Sequence, residues 1–402
     1  MVGLNNKILQ RRPWLEYLLL TLIFGLVLSL RVRSALFRLP PDPGYYMFDD
    51  ARHASFWKVF SYNSWEGYIS VLPRLIAIST TPFPLAHTAV LASLITTLIW
   101  SITAVSMFVL VRQSTQRSFL ALLCSAMVVL VPSASESSIG NFGNAKWQLF
   151  ILATLISISP SFYERFKWPS IFIFLVSGLS NPVAILTVIP LFPSLIGIRS
   201  KISRMPKVLI ICSSCIFAIQ LLAFRASGAH TVRSQIVRWE FHQFSTFWNF
   251  NFLFPLLLAA VVLIVVLLTF FTSHRIMSAP MSVAATAAAV GVISYVQGGL
   301  ADRYFIAPTV LSWLSLILLF HESSGVTRAV TRTLLIATSS IFLIGSITWF
   351  QASSYLNSGP TWSSEIRRVR IECIETGSEW VDVNLSLGSV EVRCEDTQLT
   401  GS

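Results

Sequence analysis

Long apolar runs recurring from one end of the chain to the other constrain this sequence more than any other feature. They lie near 14–33, 84–111, 118–132, 148–160, 168–180, 182–198, 207–224, 252–272, 278–297, 303–320 and 332–350. A helix needs about 20 such residues to cross the hydrocarbon core, and among open structures only a helix satisfies its own backbone there. The 402 residues therefore read as an all-α polytopic membrane protein of about 11 transmembrane helices. Composition enters as a check. Hydrophobic residues make up 54% and charged residues 12%, where soluble domains run near a quarter charged. An ordinary soluble multi-domain enzyme is excluded. Residues 1–350 are expected to form the transmembrane domain, and 351–402 a small tail.

A net charge of +11 suggests nucleic acid until the charges are placed. Basic residues collect in short connections at one end of the apolar runs, including Lys7, Arg11, Arg12, Arg112, Arg117, Arg165, Lys167, Arg199, Lys201, Arg204, Lys207, Arg275, Arg328 and Arg332. Cytoplasmic loops carry that excess. The expected topology is multi-pass in the cytoplasmic membrane, with the N-terminus inside and the tail outside. No nucleic-acid role follows. Cys373 and Cys394 sit in the tail and are placed to pair as a disulfide in an oxidising space, whereas Cys124, Cys212 and Cys215 lie within apolar runs. Region 168–198 is short for two spans, with Gly178, Asn181 and Pro182 at its centre. It reads either as a hairpin turning below the outer surface or as a tight turn between tilted helices.

Polar residues with chemical potential concentrate on the outer face. The first outer loop, 34–83, opens with Pro40, Pro41 and Pro43 and then carries Asp49-Asp50-Ala51-Arg52-His53. Stretches 51–62 and 67–79 are amphipathic, with Phe56, Trp57, Phe60, Tyr68, Ile69, Leu72 and Leu75, and read as interfacial helices. The tail alternates apolar and polar residues at 380–385 and 390–393, so a small β-rich appendage is expected.

Asp49 and Asp50 are the sharpest local feature. Adjacent carboxylates beside a membrane span are costly unless solvated, paired or bound to a cation, and a carboxylate there can also take a proton from a hydroxyl. A solvated acid pair or a helix cap is the plainer alternative. Arg303 and Tyr304 open the tenth run. Such an Arg either snorkels to headgroups or turns inward, where its guanidinium grips phosphate oxygens bidentately. Lys146 and Arg74 are further outer-face cations with the same two readings. No zinc spacing, Walker loop or nucleophile elbow is present, and the six histidines are scattered. Ionisable residues within the runs are few, which counts against ion-coupled transport.

Five local patterns in this order carry a resemblance: Phe48-Asp49-Asp50, the stretch 66–74, Gly143-Asn144-Ala145-Lys146-Trp147, Gly178-Leu179-Ser180-Asn181-Pro182, and Asp302-Arg303-Tyr304-Phe305 running on to Pro308. Together they resemble the bacterial polytopic glycosyltransferases of the GT-C superfamily, in particular those of actinobacterial type. The resemblance implies transfer of a hexosyl or pentosyl unit from a polyprenyl-phosphate donor to a glycan or glycolipid acceptor in cell-envelope polysaccharide biosynthesis. It places the base on Asp50, with Asp49 as neighbour or alternative, and the donor phosphate near Arg303 and Tyr304; the residue reading above adds Lys146 and Arg74 as candidate phosphate cations. The acceptor cavity is expected around Asn144, Trp147, Tyr68 and His53. No particular cofactor is fixed by the resemblance, and some relatives use a divalent ion such as Mg or Mn, for which Asp49 and Asp50 are the candidates. Ala51 stands where many relatives have Gly, and the tail is short. A lipid-linked-sugar flippase or transporter and a non-catalytic envelope-assembly protein are the alternatives.

Overall fold

The structure is a computed structural model. It describes residues 13–33, 35–39, 46–61, 67–131, 139–159, 163–164, 166–191, 205–227, 250–273, 278–298, 302–348, 359–385 and 389–398. Of the basic residues used for orientation, Lys7, Arg11, Arg12, Arg165, Arg199, Lys201, Arg204 and Arg275 lie outside the described residues.

The described parts of the apolar runs fold mostly as α-helices. The bundle contains α1 (Pro13–Arg31), α4 (Thr88–Thr115), α5 (Ser118–Leu130), α6 (Lys146–Ile158), α7 (Lys167–Ser180), α8 (Met205–Ser227), α9 (Phe250–Ser273), α10 (Ser278–Gly298), α11 (Ile306–Glu322) and α12 (Gly325–Thr348). The first loop adds α2 (Tyr46–His53) and α3 (Val71–Thr80). Among the described residues, four helical segments are long and apolar enough to cross a membrane, namely Trp14–Arg31, Leu85–Thr115, Lys207–Ala226 and Gly325–Gly345. This is a helical membrane protein.

Burial sorts the helices into layers. Every residue of α6 is buried, as are Ile306 to Leu319 of α11. A helix apolar all round belongs in the centre. At the periphery, α1 exposes Trp14, Leu18, Leu19, Leu22, Leu26 and Leu30, a stripe suited to lipid tails and unsuited to water. Glu16 of α1 meets Arg112 of α4 at 2.7 Å, so the one acid in that run is paired. At the other end of α1, the buried Arg31 donates to the carbonyls of Val129 and Val131, covering acceptors that the end of α5 leaves open.

The described part of the 168–198 region, up to residue 191, is not two α-helices. Helix α7 ends at Ser180, and Pro182–Leu191 continues as a 3₁₀ helix with Pro190 inside it. Proline lacks an N–H and clashes with the preceding turn, which explains the change. Neighbours satisfy the turn. Ser180 Oγ accepts from Leu72 N at 2.8 Å, and Gln220 Nε2 of α8 donates to Gly178 O at 2.9 Å. A Cβ at Gly178 would come within 2.7 Å of Ile216, so glycine is what allows α7 and α8 to approach.

Helix α3 also departs from expectation. Instead of lying in the interface on one face, it buries Val71, Leu72, Pro73, Arg74, Ile76, Ala77 and Thr80 against α4 and α7. The interfacial character instead belongs to the 3₁₀ turn Phe56–Phe60, where Phe56, Trp57 and Phe60 stay exposed and touch one another.

Among its described residues the tail is not β-rich. Its largest element is α13 (Trp362–Thr376), followed by a hairpin of β1 (Trp380–Asn384) and β2 (Ser389–Arg393) and the short α14 (Cys394–Gln398). Trp362, Ile366, Val369 and Cys373 recur at helical spacing and are buried, with Thr361 capping the start and Gly377 at φ +64° ending the helix. Val381, Val383 and Val392 supply the sheet's buried side. A Cys373–Cys394 disulfide joins α13 to α14.

Candidate functional site

Helix α2 is anchored by its apolar side. Met47 and Phe48 are buried, and the Phe48 ring lies 5.0 Å from that of Phe142. Successive helical residues point about 100° apart, so Asp49 and Asp50 diverge. Asp49 Oδ1 accepts from Arg393 Nε of β2 at 3.0 Å. Asp50 Oδ1 meets Lys58 Nζ at 2.8 Å. Each carboxylate thus meets its own cation.

Asp50 opens into a cavity of about 120 Å³ lined by Ala54, Ser55, Phe56, Lys58, Arg74 and Ile78 as well. Arg74 is buried, and it donates through Nη1 to the Lys58 carbonyl and, at 2.6 Å, to Ser61 Oγ. One carboxylate and two cations thus surround a small hollow beside an exposed aromatic cluster. This can hold an anion and deprotonate a neighbouring hydroxyl.

A second cluster lies where α6 begins. Lys146 Nζ is buried, donates to Tyr68 Oη and sits 5.1 Å above the Tyr68 ring centre. Trp147 packs edge-on against Tyr304 at 5.7 Å, and Asn144 is buried in the turn before α6. The main chain of Arg303 belongs to the 3₁₀ turn Asp302–Phe305, while its side chain lies outside the described residues.

His53 does not face the Asp50 cavity. It turns to the tail, where Nε2 lies 3.0 and 3.1 Å from the two Asp396 oxygens and Nδ1 lies 3.7 Å from Glu395. Arg52 also turns away from the acids, donating to Phe83 O at 2.9 Å. Asp49, His53 and Asp396 each bring one metal-capable atom within 4.8 Å of the others. Those atoms already serve the His53–Asp396 and Asp49–Arg393 contacts, so the group works as a docking seam between α2 and the tail. Trp362 Nε1 donating to Leu85 O at 2.7 Å and Arg38 donating to Gly359 O extend the seam. Within the tail, burial pushes the Glu365 carboxyl up, but hydrogen bonds from Arg368 and Asn384 outweigh it and hold the group below its ordinary range.

The sequence candidates therefore fall into three groups: Asp50 with Arg74, Tyr68 with Lys146 alongside Trp147 with Tyr304, and Asp49 with His53. Sequence reasoning missed Lys58, Arg393, Asp396 and Gln220. Lys58 sits in the amphipathic stretch eight residues past Asp50 and carried a weak signal, whereas Arg393 lies 344 residues from Asp49 and carried none. No protein-family model matches this chain, and no curated protein matches its sequence.

Proposed function

We propose that this chain is a membrane glycosyltransferase that moves a sugar from a polyprenyl-phosphate donor to an acceptor hydroxyl at the outer face of the cytoplasmic membrane. The observation that carries the reading is the placing of Asp50 with Lys58 and Arg74 around one cavity. That cavity sits in the loop joining α1 to α4, and both connected segments are of membrane-crossing length. An anionic lipid-linked donor cannot leave the bilayer, so its phosphate must be met beside the membrane by fixed cations. Asp50 takes the proton from the acceptor hydroxyl. The hydroxyl oxygen then bonds to the sugar's anomeric carbon, and the carbon–oxygen bond to phosphate breaks with its electron pair leaving on polyprenyl phosphate. Arg74 and Lys58 neutralise that charge. Arg303, Tyr304 and Lys146 are assigned to the donor side, and Tyr68, Asn144 and Trp147 to the acceptor side. The proposed envelope is eleven spans with the N-terminus inside.

The full-length protein in nanodiscs, given a panel of polyprenyl-phosphate sugars and alkyl-glycoside acceptors, should produce an extended glycoside with at least one pairing. Bilayer translocation of those lipids with no transfer would favour a flippase.

A further inference from the structure

Arg74, which lines the Asp50 cavity, carries an unanswered buried donor. Arg74 is 5% exposed, and its Nη1 is occupied by the Lys58 carbonyl and Ser61, yet its Nε is buried without a hydrogen-bond partner. A buried charged donor left unpaired is costly, so the site calls for an acceptor. Across the same hollow the Lys58 ammonium lies on Asp50 at 2.8 Å. Lys58 is half exposed, on a turn whose neighbours Phe56, Trp57 and Phe60 face outward, and a lysine stem is flexible enough to swing. Among the described residues lining the cavity, the titratable groups are Asp50, Lys58 and Arg74. One carboxylate against two cations leaves a net positive charge, which suits a phosphate ester. Phe56 lines the cavity and packs with the exposed Trp57 and Phe60, an apolar surface that suits an ester carried on a lipid.

We infer that Lys58 is an exchangeable latch. In the resting protein it holds Asp50. When a phosphate ester enters beside the Arg74 guanidinium, the ammonium passes from the carboxylate to the phosphate and frees Asp50 for the acceptor hydroxyl. Base and donor site are thereby coupled, so that Asp50 is released only when a leaving group is in place. This rests on the reading of Asp50 as the base. It makes Lys58 a positioning residue as well as a phosphate ligand.

The latch is tested by affinity, without any need for turnover. The full chain in phosphatidylcholine nanodiscs is titrated with a polyprenyl monophosphate, and separately with inorganic phosphate. Asp50→Asn should bind several-fold tighter than wild type, because Lys58 no longer has a competitor. Lys58→Met should bind at least about tenfold more weakly, the scale of one charge-assisted hydrogen bond. Lys58→Met combined with Asp50→Asn should recover most of that loss, and Lys58→Arg should stay close to wild type. This order with the lipid alone assigns the ligand to the membrane, and the same order with both probes assigns it to the phosphoryl group. The proposal is overturned if Lys58→Met and Asp50→Asn leave both affinities unchanged, which would make the pair an ordinary surface contact. Should that happen while Asp50→Asn abolishes sugar transfer, the latch fails and the base stands. If the affinities follow the expected order while Asp50→Asn transfers sugar normally, the phosphate site stands and the base fails.

Discussion

Asp49 and Asp50 are adjacent in sequence and separate in role, because a helical step turns one toward the tail and the other toward a cavity. The acid pair was legible as a pair, and its division was not. Asp49 meets Arg393, a residue brought across by the docking of a distant module, while Asp50 meets the nearby Lys58. Gln220 makes the same point from within an apolar run. Its Oε1 accepts from Ile69 N at 3.0 Å, and its Nε2 donates to Ile69 O at 3.2 Å and Gly178 O at 2.9 Å. One side chain thus satisfies backbone from the first loop and from the α7 turn. Gln220→Leu keeps the bulk and orphans these groups at about 1–3 kcal/mol each. The thermal unfolding midpoint in nanodiscs should fall clearly below wild type, and an unchanged midpoint would mean that the clamp contributes nothing.

Elements were legible where periodicity or apolar length decides them, and less so where tertiary partners do. The helix over 362–376 was written in its spacing of Trp362, Ile366, Val369 and Cys373, but the alternation at 380–393 drew attention to the strands instead. Helix α3 reads as amphipathic, yet it is covered on several sides by α4 and α7, which no local pattern announces. The tail's cohesion rests on its disulfide and on Glu365. Replacing Cys373 and Cys394 by Ser removes a crosslink worth about 3 kcal/mol, and 359–398 should then become protease-sensitive while the transmembrane helices persist. Digestion no faster than wild type would contradict this. Glu365 gives the tail an acid limit. Burial raises its pKa, but the Arg368 and Asn384 hydrogen bonds lower it further, so the net shift is downward. A depressed carboxylate contributes stability that is full above its unfolded value, here about 4.5, and is lost as pH falls through the folded value. Tail stability should decline in acid below the ordinary carboxylate range, and Glu365→Gln should be weaker at neutral pH with a flatter acid limb. Parallel pH curves for the two proteins would remove Glu365 from that role.

At the scale of the molecule, the helical membrane character follows from the apolar runs themselves, because hydrocarbon admits few other folds. Layering within the bundle was hidden, since central α6 and lipid-facing α1 are both apolar and differ only in what surrounds them. The eleven-span arrangement is tested by reporter fusions after residues 200 and 350, which should report opposite sides of the membrane; the same side for both would refute the odd number of crossings between them. The central claim is that the Asp50 cavity performs sugar transfer. Its most direct test compares wild type and Asp50→Asn for transfer from a polyprenyl-phosphate sugar that the wild type accepts, with donor binding measured on the same samples. Loss of a positioned general base should cost about 10²–10⁴-fold in turnover, with donor binding no weaker than wild type. Wild-type turnover in folded Asp50→Asn protein would contradict the account.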